Sequence, residues 1–413
     1  MPDIKKYFLS LRSGSNPEPG GENEGNLYYL RKAERWSRIR ILLTVFVLVF
    51  LISFTLFNIR ELTLENFAYF FSDFRSSVQA ASYEAIRMEY VADSKQSFGV
   101  FRGGLCVAGE HNVAVFTQQS RRLITDTVNL SDPVVASSDK YVMVYDRGSY
   151  GFYVYNSYSR ILFEELDEPI LYGAVSNRGD LAIVTFGTDN LSHVYVYNSS
   201  MELTARIRKN TYVTCVAFNG DSSLLALGCV EGRDGSFSLT LEAYGVSKGV
   251  SASPVFSRTY QNCYPLYLIF SGNKYFSAVC DTSMICLGSD GKEILNYHFS
   301  APLVSACASP EGCAMAFSSD LVKNEVRLIC VSGEGKIVHD GILSAGVEQI
   351  LLTGGCVYLK GERITRFTLS DKKSATDDRP VAGLTMLPAS GGRLLLCSPA
   401  LAEFYTFGDS GVS

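Results

Sequence analysis

The chain is 413 residues long, 47% hydrophobic and 19% charged, with a formal net charge of −5. That apolar content excludes a disordered chain and is enough for one large core or two ordinary ones. Residues 1–59 hold 8 Lys and Arg against 5 Asp and Glu, leaving 29 against 37 beyond them, so the acidic remainder lacks the dense cationic face that nucleic acid requires.

Residues 1–38 read as a disordered cytoplasmic tail, with Gly14, Pro17, Pro19, Gly20, Gly21 and Gly25 among polar residues and one short apolar patch at Tyr7-Phe8-Leu9. Residues 39–59 read as a membrane-spanning helix. From Ile41 to Phe57 only Thr44, Ser53 and Thr55 are polar, and the stretch approaches the roughly 20 residues a helix needs to cross a bilayer. Its fourteen Leu, Ile, Phe and Val residues favour insertion by about 6 kcal/mol. Arg31, Lys32, Arg35, Arg38 and Arg40 precede it, with Trp36 placed as an interfacial anchor, while only Arg60 follows closely. Positive charge stays inside, so the N-terminus is expected in the cytoplasm and everything after residue 60 outside. A cleaved signal peptide fits poorly, because the apolar run is too long and the nearest small-residue site, Val78-Gln79-Ala80, lies far beyond it.

Residues 60–85 carry Leu62, Leu64, Phe67, Phe70, Phe71 and Phe74 at helical spacing, which fits either a helix along the membrane surface or a stalk beneath a domain. From residue 86 the period becomes two. Ile86, Met88 and Tyr90 alternate with Arg87 and Glu89, as in a half-buried strand. From there to Phe407 short apolar runs alternate with turn residues.

Those runs repeat. Val154-Tyr155-Asn156-Ser157 recurs as Val196-Tyr197-Asn198-Ser199, and a polar turn followed by an apolar strand recurs throughout. Ser176-Asn177-Arg178-Gly179-Asp180, Asn219-Gly220-Asp221, Ser271-Gly272-Asn273-Lys274 and Ser309-Pro310-Glu311-Gly312 are the clearest turns; Arg102-Gly103-Gly104, Ser138-Asp139-Lys140, Gly354-Gly355 and Gly391-Gly392 are looser ones. The strands that follow start near residues 105, 141, 181, 224, 275, 314, 356 and 394, separated by 36 to 51 residues. Eight units of this length predict an all-β fold over residues 86–407, a propeller of eight four-stranded blades, or seven if the Gly354-Gly355 unit fails. A two-sheet sandwich accommodates eight similar units badly. The last unit offers only three strands, near Leu384–Leu387, Leu394–Cys397 and Glu403–Phe407, so Ile86–Val91 is expected to close the ring as the outer strand of the last blade. Residues 408–413 form a short tail.

Eleven cysteines are an odd number, and no C-x-x-C pair occurs. Cys106, Cys229, Cys280, Cys313, Cys356 and Cys397 lie in apolar strand runs and read as small buried hydrophobes with free thiols. Free thiols outside a cell point to a reducing or anaerobic habitat; an inverted topology is the other explanation. The four histidines, His111, His193, His298 and His339, are scattered, which argues against a zinc site.

The turn Ser309-Pro310-Glu311-Gly312 before an apolar strand, and strands ending Val-Tyr-Val-Tyr-Asn-Ser, resemble those of bacterial WD-repeat-like and quinoprotein-like propellers. The layout also resembles a family of membrane-anchored propellers from clostridial bacteria, a setting in which free cysteines are ordinary. No Trp-Asp dipeptide occurs and Trp36 lies outside the repeats, so the tryptophan docking of quinoprotein dehydrogenases is missing.

No catalytic, cofactor-binding or metal-binding residue is assigned. Gly408-Asp409-Ser410-Gly411 matches a serine-protease nucleophile loop but sits at the end of the sequence without a positioned His–Asp pair. No phosphate-binding loop, dinucleotide fingerprint, His-Glu-x-x-His or calcium loop is present. Asp146, Asp180 and Asp281 near strand ends read as turn residues, and the sequons at Asn129, Asn190 and Asn198 carry little weight in a bacterium. The expected function is non-catalytic binding of a protein, peptide or glycan, by a propeller held at the envelope through residues 39–59. An extracellular hydrolase or lyase working in the central channel, and a ligand sensor, are the other classes considered.

Overall fold

The computed structural model describes residues 36–50, 53, 87–187, 192–233, 235–246, 249–251, 253–318, 325–389 and 392–408. Residues 36–50 form a helix with an exposed apolar surface; Leu42 is 72% exposed. Among the described residues no helix is long and apolar enough to cross a membrane. Residues 51–52 and 54–59 of the expected span, the tail before Trp36 and the expected stalk at 60–85 lie outside the described residues.

Eight four-stranded antiparallel sheets make an eight-bladed propeller. The innermost strands are, in order of blade, Gln96–Phe101, Pro133–Ser137, Ile170–Val175, Tyr212–Phe218, Pro265–Ser271, Leu303–Ser309, Gln349–Thr353 and Thr385–Pro388. The second strands begin at residues 104, 142, 181, 224, 275, 312, 356 and 394, within two residues of every start expected from the repeat. The 51-residue spacing after Leu224 reflects two ten-residue strands, Leu224–Arg233 and Ser236–Gly245, in blade four.

Gly354 and Gly355 do form a unit. Both adopt positive φ, 60° and 68°, as a two-residue turn between antiparallel strands demands. Their amides are capped by the Glu311 carboxylate of the preceding blade, at 2.8 and 2.9 Å.

The second strands are apolar on both faces because each blade is covered on both sides. Gly104–Gly109 is wholly buried. Eight hydrophobic clusters each bridge two neighbouring blades, one for every interface around the ring. A fully buried leucine such as Leu105, at a blade interface, contributes about 1.5–3 kcal/mol.

The ring closes as the strand count requires. Arg87–Glu89 pairs antiparallel with Leu401–Tyr405, with Met88 opposite Ala402, and forms the outer strand of the blade containing Leu394–Cys397. The described strand is three residues, shorter than the expected Ile86–Val91: Ile86 is outside the described residues, and after Glu89 only one ladder-like bond continues, from Tyr90 N–H to Ala400 O at 3.1 Å. Met88, Tyr90, Leu105, Phe116, Leu395 and Cys397 fill the seam between blades eight and one.

All eleven cysteines are free thiols. Five of the six strand cysteines expected to be buried are so; Cys356, which opens its strand beside the Gly354-Gly355 turn, is half-buried instead. Burial pushes the Cys106, Cys229 and Cys397 thiols up to about 12, which leaves them unreactive at neutral pH.

Candidate functional site: an apolar mouth on one face of the ring

Antiparallel pairing sends alternate turns to opposite faces. One face, the entry face, carries the loops that lead into each inner strand together with the second-to-third-strand turns. The exit face carries the remaining turns.

The walls of the channel are built from the inner strands, and none of the eight contains a charged residue. Every outer strand contains at least one. The difference follows from surroundings. Outer strands alternate exposed and half-buried residues along the rim, whereas inner strands pack against the inner strands of neighbouring blades.

Four consecutive blades share a second feature. In blades three to six the ladder between the first two strands slips by one residue near its entry-face end: between Ile170 and Tyr172, Val213 and Cys215, Pro265 and Tyr267, and Leu303 and Ser305. The other four blades keep an unbroken register there. Each slip is a β-bulge, which bends the strand and re-aims side chains. The large apolar residues left exposed on inner strands belong to these four blades: Tyr172, Tyr212, Leu266, Tyr267 and Val304, the last 48% exposed. All lie within the first three residues of their strands, at the entry-face mouth. Tyr172 leaves 36% of its surface exposed, and burial of the rest pushes its phenol up to about 12, with Cys215 and Tyr267 adding to the shift. Tyr212 stacks on Phe186 with centroids 6.1 Å apart and planes 8° from parallel.

Polar groups fix the loops that feed the mouth. The Asp146 carboxylate accepts the Ser131 and Asp132 amides at 2.9 and 2.7 Å, and Asp281 accepts the Tyr264 amide at 2.8 Å. These two carboxylates, expected as turn residues, hold equivalent loops in blades two and five. Asp180 belongs to the exit face, where its amide bonds the Ser176 hydroxyl. In blade three the loop is held by a buried cluster that the sequence reading missed. Glu168 accepts from the Thr185 hydroxyl at 2.6 Å, from His193 Nδ1 at 2.6 Å and from Arg206 at 3.0 Å. Burial opposes its ionisation, but the Thr185 and His193 hydrogen bonds and the Arg206 charge outweigh that and keep its carboxyl below the usual range. Glu168 thereby pins the loop entering Ile170–Val175, the strand that presents Tyr172. Nothing in the sequence ties Glu168 to His193, 25 residues on.

Among the described residues no three potential ligands converge as a metal site would need. His111, His193, His298 and His339 fall on four different blades or loops. The Gly408-Asp409-Ser410-Gly411 segment lies outside the described residues beyond Gly408.

The fold is similar to that of solved proteins. A eukaryotic initiation factor shares 12% identity at a TM-score of 0.55, over 78% of this chain and 85% of that one. BamB from Moraxella catarrhalis shares 12% identity at a TM-score of 0.50, over 78% of this chain and 98% of that one. The β-propeller domain of Cps50 (Swd1) from Myceliophteria thermophila shares 11% identity at a TM-score of 0.42, over 72% of this chain and 100% of that one. At such identities the likeness concerns the fold alone. No curated protein matches the sequence. A family model does: it matches residues 78–399, and the chain belongs to the family of unknown function DUF5711.

Proposed function

We propose that this protein is a non-catalytic binding module, an envelope-anchored propeller that docks a partner at the entry-face mouth. One observation carries the reading: four successive inner strands bulge at one mouth and leave aromatic and aliphatic side chains exposed there. Exposed apolar surface at the end of a rigid channel is costly unless something covers it. The uncharged inner strands supply neither carboxylate nor imidazole for acid–base chemistry, which favours binding over hydrolysis in the channel. Anchoring through residues 39–59, with the propeller outside, is supported by the apolar run and by the basic flank before it.

A photo-reactive amino acid placed at Tyr267 in intact cells tests both parts. Position 267 should give a covalent adduct that the same residue at Ile342, on an outer strand, does not give, and added protease should destroy the propeller without lysis. Equal adducts at both positions would remove the mouth as the docking site. Full protection from protease would place the propeller inside the cell.

A further inference from the structure

The two faces of the ring differ in charge, and the difference selects the chemistry of the partner. Among the described residues, the entry-face loops hold ten carboxylates against four cations, whereas the exit-face loops hold eight against nine. Three of the four entry-face cations pair with entry-face carboxylates, Arg147 with Asp132, Arg363 with Asp378 and Arg379 with Asp377, each at 2.8 Å, and two more of the carboxylates, Glu168 and Glu348, pair with the strand cations Arg206 and Lys360. Asp167 and Glu362 are exposed carboxylates of these entry-face loops.

We infer that the entry face docks a cationic, partly apolar polypeptide segment, in which Lys or Arg alternates with apolar residues; this rests on reading the bulged mouth as the binding site. The bulged arc over blades three to six takes the apolar side chains. Tyr172, Tyr212 and Tyr267 offer ring faces on which a Lys or Arg stem can lie with its charge still hydrated. The surrounding carboxylates steer the chain and fix which partner is admitted. A nucleic acid, an anionic glycan or an acidic peptide meets repulsion on the same rim. A lone metal ion is a poor match, because these carboxylates are spread around the ring and no three ligands converge among the described residues. A segment that carries both charge and apolar surface satisfies both features at once.

The test uses the full chain in non-ionic detergent micelles and three labelled ten-residue peptides, alternating Lys-Leu, Ser-Leu and Glu-Leu, with protein-free micelles as the baseline. The Lys-Leu peptide should bind at least about tenfold tighter than Ser-Leu, a gap that narrows as salt is added. Asp167→Lys with Glu362→Lys should weaken it about tenfold, while Asp139→Lys with Glu334→Lys on the exit face should leave it unchanged. Tyr267→Ser should weaken Lys-Leu and Ser-Leu alike. Equal binding of all three peptides, lost on Tyr267→Ser, would keep the mouth but overturn the cationic partner. Binding that ignores Tyr267→Ser would overturn the mouth itself.

Discussion

At the scale of single residues, the thiols and one imidazole respond most to burial. Most cysteines behave as small apolar side chains, and Cys263 is the exception. A hydrogen bond from Cys280, and a second from Ser283 at 3.6 Å, hold its thiol below the usual range despite burial. His339, in the outer strand Ile337–Ser344 of blade six, packs 4.3 Å from the Phe367 ring, and its buried Nε2 has no partner among the described residues. Burial, reinforced by Lys372, lowers its pKa from the ordinary value near 6.5. A histidine depressed in the folded state binds its proton more readily when unfolded. Its contribution to stability is therefore complete above about pH 6.5 and is lost as pH falls through the window beneath it. Thermal unfolding of His339→Phe should be less sensitive to pH between about 7 and 5 than that of the wild type. An identical pH slope in the two proteins would show that His339 does not titrate with folding.

At the scale of elements, the seam is the decisive strand. Met88 is completely buried between blades eight and one, whereas Val91, three residues on, is 62% exposed. Met88→Ala should cost about 3 kcal/mol, measured as a lower urea midpoint at unchanged slope, and Val91→Ala close to nothing. Equal effects would mean that Arg87–Glu89 is not what closes the ring. This strand was legible in advance because Met88 and Tyr90 alternate with charged neighbours and the last repeat lacked a fourth strand. The eight second strands were legible for a related reason: Gly, Asn and Asp turns such as Asn219-Gly220-Asp221 announce each apolar run. The mouth was not legible. Pro265-Leu-Tyr-Leu-Ile-Phe-Ser271 reads as a buried strand, and only ring closure leaves its first residues beside an open channel. A bulge also depends on the register of the partner strand, which composition does not encode. The uncharged inner strands could have been noticed, since every outer strand breaks the pattern. The Glu168–His193–Arg206 contact joins a loop to two strands across 38 residues, beyond the reach of any local spacing rule.

At the scale of the whole molecule, a closed ring separates stability from the proposed recognition. Eight interface clusters make the scaffold rigid, so bulges in four blades alter one mouth while the other blades keep their register. The charge difference between faces adds direction, since a partner drawn to the entry face meets the aromatic arc first. Covalent tyrosine footprinting tests this account most directly, by comparing intact cells with the same protein purified. Tyr172, Tyr212 and Tyr267 should be labelled in the purified chain and protected in the cell, while Tyr158, 44% exposed on the exit face, is labelled in both. Equal labelling of the three mouth tyrosines in the two preparations would contradict a partner seated there.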